Sequence, residues 1–492
     1  MSITLHRREF VLAAAAGLAA ATLPRAIRAA NSIPARLDPL MLQHLVDEIA
    51  GELGIVGAQM ALFDGQQIHE FSTGLANRER GLAVTSDTLF QVGSTTKVFN
   101  AAMIMTLVDE GVLDLDAPVK TWIKDFKLPD ADSAERVNLR QLLSMSAGID
   151  NGPYQSYGRG DDALGQYVAA MAEIPVVFNA GTAFGYSNAS TNISGLAAQL
   201  ATGTNWETLL AERVLNPLGL QQSANFPEDL LYHSMALGYR YAAGAEIPER
   251  VPYWGLPRSM APAGASLCCS AGDLVRFATT FLRGGIAENG KQVLSATSIK
   301  TMHTPQVSLP ARLTAQEWCT GPYRKVWDGH AIYGHSGTNS GGSSLLLWCP
   351  ERNIAIATIA NVPRQGYPFA DRIFSTVFPQ VFDIQKPATP KPGDVTPAAV
   401  DLERFVGQYD AWNQHREFVI QNDKLVVSVF QGEERVTPTM SSELIPLGGD
   451  RFLPADPALG GNRGWDVAFW GDDGSGRASH YLDGVFALRR TG

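Results

Sequence analysis

The sequence predicts an α+β domain followed by a small antiparallel β-barrel, and three observations predict it. Strand-like segments stand near both ends of residues 37–382, with helical periods between them, so one sheet is built from distant parts of the chain. A polar, Pro-rich run from Lys386 to Pro397 then reads as an extended linker. Beyond it come short strand-like segments separated by turn residues, the spacing of a small barrel or sandwich. The expected division is an N-terminal segment 1–31, a mixed domain 32–383, a linker 384–397 and a C-terminal barrel 398–492.

Each element has its own signal. His6-Arg7-Arg8-Glu9-Phe10-Val11-Leu12 sets paired arginines before an Ala-rich apolar stretch too short to span a bilayer. That pattern resembles a twin-arginine export signal, so a periplasmic or secreted location is expected. Val56 to Phe63 reads as a strand, Asp64-Gly65 as a turn, and Gln67 to Ser72 as the partner strand. From Ser94 the pattern becomes helical: Val98, Ala102, Met105 and Val108 recur at spacings of three and four. Gly111 stands where a helix C-terminal glycine belongs. Gly334 to Cys349 is strand-like again, broken by Gly341-Gly342. In the last region Arg416–Ile420, Lys424–Phe430, Glu443–Pro446 and Ala478–Leu488 each read as a strand.

Composition excludes some partners. The chain has 492 residues, 45% hydrophobic and 18% charged, with a formal net charge of −10. That acidity and the lack of a Lys/Arg block argue against nucleic acid or an electrostatic membrane anchor. Past the N-terminus no apolar run is long enough for a stable membrane span. Cys268, Cys269, Cys319 and Cys349 lack the spacing of a metal site, so no metal or other cofactor is expected. Buried free thiols are the expected state, with Cys319–Cys349 the one long-loop disulfide to consider. The expected partner is a small-molecule or peptide substrate, with a homodimer left open.

Three short motifs can carry chemistry. Ser94-Thr95-Thr96-Lys97 puts a hydroxyl and an amine three residues apart on one helix face. A serine alcohol becomes a nucleophile when a neighbour takes its proton, and a buried amine with a lowered pKa can do so. Alone, this spacing has an ordinary explanation in an N-capping Ser and a solvated Lys. Tyr186-Ser187-Asn188 offers a phenol that can move protons and an amide that can hold the Lys97 amine. His335-Ser336-Gly337 lies on a strand, where a glycine lets substrate approach the backbone. The N–H groups of Thr338 and Ser94 could then form an oxyanion hole. A rival reading takes Gly185-Tyr186-Ser187-Asn188-Ala189 as a near-match to a nucleophile elbow with Ser187 as nucleophile, but no parallel βαβ alternation precedes it.

In this order the motifs resemble the penicillin-recognising serine hydrolases: class C β-lactamases, low-molecular-weight DD-peptidases, D-aminopeptidases and family VIII esterases. Asp87–Ser94, Glu110–Pro118, Leu142–Gly148, Pro262–Gly264 with Ala271–Phe277, and Tyr333–Gly337 with Ser344–Trp348 are similar to the surrounding family segments. The likeness covers about Leu37 to Phe382. Leu402, Phe405, Gly407 and Tyr409 resemble the opening of a C-terminal barrel that some D-aminopeptidase-like members carry.

The resemblance implies a β-lactamase-like domain, an antiparallel sheet flanked by helices with an all-helical subregion. It implies a serine hydrolase in which Ser94 forms an acyl-enzyme while Lys97 and Tyr186 share the proton transfers. Asn188, His335, Ser336 and Gly337 would orient substrate, and the backbone N–H groups of Ser94 and Thr338 would hold the oxyanion. Three departures stand out: His335 where many members have Lys, Met145 where His is common, and Asn179-Ala180 where Pro often precedes the glycine. An imidazole titrating near 6.5 is mostly neutral at pH 7. The third motif therefore favours a peptidase or esterase over a dedicated β-lactamase.

Overall fold

The computed structural model describes residues 38–492 except 243, 254, 256, 313–314, 432–436, 457–458 and 460–464. The expected export segment 1–31 lies outside the described residues. Asp38–Gly492 forms one compact unit.

The chain enters through α1 (Pro39–Glu52), capped by the Asp38 carboxylate on the Leu40 N–H. The first hairpin follows, β1 (Gly57–Phe63) and β2 (Ile68–Asn77), turning at Gly65 with φ +94°. A 3₁₀ turn at Gly93–Thr95 leads into α2 (Thr96–Asp109). The apolar spacing predicts one buried face for this helix, but every residue from Thr96 to Leu107 is buried. Thr-Lys-Val-Phe-Asn-Ala-Ala-Met-Ile-Met is apolar nearly all round, which suits a helix enclosed by others rather than a surface helix. Phe99 stacks on Phe277 at 3.7 Å, while Asn100 is paired with Ser194 and Trp206. Gly111, at φ +72°, ends this helix as expected.

Around α2 pack α3 (Asn188–Thr202) and α4 (Ala271–Leu282), the helical part of the domain. The chain then returns to the sheet as β3 (Tyr323–Trp327), β4 (His330–Asn339), β5 (Gly342–Cys349) and β6 (Ile354–Ala360). Helix α5 (Pro363–Val381) follows. The nine-stranded sheet runs Leu82–Ala83, β2, β1, β6, β5, β4, β3, Glu317–Trp318, Val307–Ser308, and its pairings are antiparallel. Strand β1, from the start of the domain, pairs with β6 from its end in the register Ala58 to Ala360. The expected sheet of distant segments is therefore present, and α2 lies in the core beside it.

Past α5 the Pro-rich run is strapped to the domain: Lys386 pairs with Asp371 at 2.8 Å and Ile384 is fully buried. The barrel then closes from β7 (Gly407–Ala411), β8 (Gln414–Gln421), β9 (Lys424–Gln431), β10 (Met440–Gly448), β11 (Arg451–Pro454), β12 (Val467–Trp470), β13 (His480–Asp483) and β14 (Phe486–Arg490). Phe405, Tyr409, Phe418, Phe469 and Tyr481 fill its interior. One expectation fails here: Ala478–Leu488 is not a single strand. Asp483-Gly484 turns it into the β13–β14 hairpin, with Gly484 at φ +63°. The four cysteines are buried free thiols, so the Cys319–Cys349 disulfide is absent.

Candidate active site

The three motifs meet at the N-terminal end of α2. Ser94 is half-buried in the 3₁₀ turn, one step before the helix proper. Lys97, in the first turn of α2, is 1% exposed and sends its Nζ to three oxygens. Ser94 Oγ lies 3.1 Å away, Asn188 Oδ1 2.6 Å and the Ala263 carbonyl 2.6 Å. Among the described residues no carboxylate pairs with this amine, and its burial pushes the pKa well below the usual lysine range. A neutral amine has two N–H groups and one lone pair. Once deprotonated, the Lys97 amine would keep its two N–H groups on the carbonyl oxygens and turn its lone pair to the Ser94 hydroxyl.

Asn188 opens α3 and is held on several sides. Its N–H donates to Asn151 Oδ1 (3.0 Å), and its Nδ2 donates to Tyr154 Oη (2.7 Å). Asn151 Nδ2 reaches the same phenol at 3.2 Å, and burial of that hydroxyl raises its pKa. Tyr186 presents its ring 4.9 Å from Lys97 Nζ. Its own N–H donates to the Val485 carbonyl of the barrel (2.9 Å), and Phe486 packs edge-on against its ring. Ser187 is 1% exposed, caps α3 through the Ser190 N–H, and donates its hydroxyl to the Asp150 carbonyl. A sealed capping hydroxyl of this kind removes the Ser187 nucleophile reading.

Strand β4 supplies the third wall. β3 pairs with it only as far as Gly334, so from His335 onward β3 no longer covers that edge. Gly337 and Gly93 are required by a close approach of backbone to backbone. A Cβ on Gly337 would lie 1.9 Å from the Val92 carbonyl and 2.9 Å from Ser94 N. One on Gly93, at φ +56°, would lie 2.8 Å from Thr338 N. The backbones of Ser94 and Thr338 are thus neighbours. The Thr338 hydroxyl donates to Tyr367 on α5, and the Ser336 carbonyl accepts the His335 Nδ1–H at 2.7 Å.

His335 lies beside the site with its ring enclosed. It is 2% exposed, ringed by Trp318, Tyr323 and Tyr186 at 5.5, 6.0 and 6.2 Å. Burial pushes its pKa down to about 3. With Nδ1–H bonded to the Ser336 carbonyl, the buried Nε2 keeps a lone pair and has no hydrogen-bond partner among the described residues. The ring is a neutral acceptor under the sheet edge, not a cation.

Sequence reasoning missed Tyr154, Asn151 and Asp150, which hold Asn188 from behind. Their one signal is the run Asp150-Asn151-Gly152-Pro153-Tyr154, turn-forming residues directly after the Leu142–Gly148 loop.

Comparison with known proteins agrees with this architecture. The beta-lactamase family model matches residues 42–374. The chain belongs to the beta-lactamase family. Penicillin-binding protein 4 of Amycolatopsis lactamdurans is 35% identical over 375 residues, covering 74% of this chain and 97% of that protein. Esterase EstB of Burkholderia gladioli is 30% identical over 207 residues, 39% of this chain and 51% of the esterase. The crystal structure of SurE superposes with a TM-score of 0.75 at 26% identity, covering 92% of this chain and 99% of SurE. At that coverage the likeness takes in the barrel as well as the family domain. The D-amino acid amidase of Ochrobactrum anthropi SV3 shares the fold, with a TM-score of 0.57 at 23% identity over 68% of this chain and 97% of the amidase.

Proposed function

We propose that this family member is a serine hydrolase acting through an acyl-enzyme on Ser94, with peptides or amides carrying D-residues as its preferred substrates and short esters accepted by the same machinery. The observation that carries the reading is the Lys97 amine, buried with no carboxylate partner among the described residues, bonded to two carbonyls and with Ser94 Oγ 3.1 Å away. As Oγ bonds to the substrate carbonyl carbon, its proton passes to the Lys97 lone pair. The oxyanion is received by the N–H groups of Ser94 and Thr338. The leaving amine or alcohol takes the proton back through Lys97 and Tyr186, and water then cleaves the acyl ester by the same route in reverse.

Two facts support the substrate class. The neutral His335 offers no positive charge to the carboxylate that lies beside a β-lactam ring, which turns the site away from penicillin destruction. SurE, similar across nearly the whole chain, has also been crystallised with D-Leu. A second reading, a DD-carboxypeptidase that binds penicillins, is favoured by the 35% identity to penicillin-binding protein 4.

One panel separates them: D-aminoacyl p-nitroanilides, muropeptides, p-nitrophenyl acetate and nitrocefin, each with wild type and Ser94→Ala. The reading expects turnover of the D-aminoacyl and ester substrates, lost in Ser94→Ala. Release of terminal D-alanine from muropeptides as the dominant activity would favour the second reading. Efficient nitrocefin hydrolysis would contradict both.

A further inference from the structure

Two hairpin turns of the barrel reach the segment that carries Asp150 and Tyr186. The β13–β14 turn gives its Val485 carbonyl to the Tyr186 N–H. The β7–β8 turn consists of Trp412 and Asn413 between the paired Ala411 and Gln414. Its Trp412 N–H donates to Asp150 Oδ2 at 2.7 Å. Asp150 is 6% exposed, and its other carboxylate oxygen accepts the Asn151 N–H. Its main-chain carbonyl accepts the Ser187 hydroxyl at 2.9 Å. From Asn151 the path continues to the Asn188 N–H, and from Asn188 Oδ1 to Lys97. No side chain intervenes that is not hydrogen-bonded at both ends.

We propose that Asp150 is a positioning residue for catalysis: it fastens the Trp412 turn of the barrel to the loop that holds Asn188 on Lys97, which makes the barrel part of the catalytic unit. A buried carboxylate held by backbone N–H groups is expensive to leave unpaired, so the Trp412 donor fixes where the loop sits. Displacing Asn188 would loosen the amine from Ser94, and p-nitrophenyl acetate has no amide for Asn188 to orient. The effect therefore falls on the chemical step rather than on binding. This inference rests on the serine-hydrolase reading above.

The turn itself provides the test. Trp412 is the first of two turn residues and Asn413, the second, has φ +56°. Proline is favoured at that first position in turns with a positive φ at the second. Trp412→Pro therefore removes the N–H given to Asp150, and Trp412→Ala, which also loses the indole but keeps the N–H, is its reference. With p-nitrophenyl acetate, kcat is expected to fall about tenfold or more in Asp150→Ala, and in Trp412→Pro relative to Trp412→Ala, with KM within about twofold. Asp150→Asn, which retains one acceptor oxygen, should recover a good part of the loss. The double variant Asp150→Ala/Trp412→Pro should fall no further than the larger single loss.

Equal kcat in Trp412→Pro and Trp412→Ala overturns the proposal, as does a loss in the double variant equal to the product of the two singles. Should Asp150→Ala fail to fold, the Trp412 pair decides alone. Failure of the parent reading looks different, because wild-type protein would then form no acyl adduct at Ser94.

Discussion

At the residue scale, Ser94 and Lys97 owe their pairing to more than spacing. The sequence places them three apart, which any helix would bring together. What turns the pair into a reactive one is burial of the amine among carbonyl oxygens from Asn188 and Ala263, far away in sequence. That burial could be expected from the motif order but not from Ser-x-x-Lys alone. His335 was legible as a departure from lysine. Its enclosure was not, because Trp318 and Tyr323 come from neighbouring strands. An imidazole held to about 3 does not titrate between pH 8 and 5. Its Cε1–H shift in NMR should stay flat there, and an inflection near 6.5 would contradict the buried neutral ring. Tyr154→Phe removes the hydroxyl that receives both Asn188 and Asn151. Losing such contacts costs about 1–2 kcal/mol, so kcat should fall roughly 5- to 30-fold with KM little changed. A rise in KM with kcat intact would instead place Tyr154 in substrate binding.

At the element scale, the nucleophile turn and β4 press together with glycine on both sides. Gly337→Ala would push a methyl into the Val92 carbonyl and separate β4 from Ser94. Misplacement by about 1 Å costs on the order of 100-fold, so kcat/KM should fall by about that factor in a protein that still folds. Near-normal kcat/KM would show that the contact is not needed. The strands were readable from alternation and turn residues, and β1, β2, β4 and β5 stand close to where those signals put them. Helix α2 was readable in position but not in environment, since periodicity in Val98, Ala102 and Met105 describes one face while the other is covered too. The β13–β14 hairpin was read as one strand because Asp483-Gly484 is short between two apolar runs.

At the scale of the whole molecule, the Pro-rich run reads as an extended linker to the barrel. The structure docks the barrel on the rest of the domain through Tyr186, Asp150 and Val177. Contacts of that kind leave no local sequence signature, since backbone groups make most of them. Acid stability also belongs here. His335 and His303, held by burial to about 3 and about 4, stay neutral in the native chain, whereas unfolded histidines protonate near 6.5. The unfolded state thus binds more protons as pH falls below about 6.5, and stability drops. Asp150, raised by burial to about 6, acts oppositely, because the native chain protonates it before the unfolded one. His480, lowered by burial, adds to the first effect, and Glu70 and Asp273, raised by burial, add to the second, so the histidine contribution is read by difference. In urea unfolding at pH 6.5 and 4.5, His303→Gln should lose less stability than wild type, and an equal loss would contradict the buried neutral imidazole. The most direct test of the central claim is intact-mass and peptide mapping after a fluorophosphonate probe. Wild type should gain one adduct per chain, located on Ser94, and Ser94→Ala should gain none. Labelling that persists in Ser94→Ala, or that maps to Ser187, would contradict the assignment of Ser94 as the nucleophile.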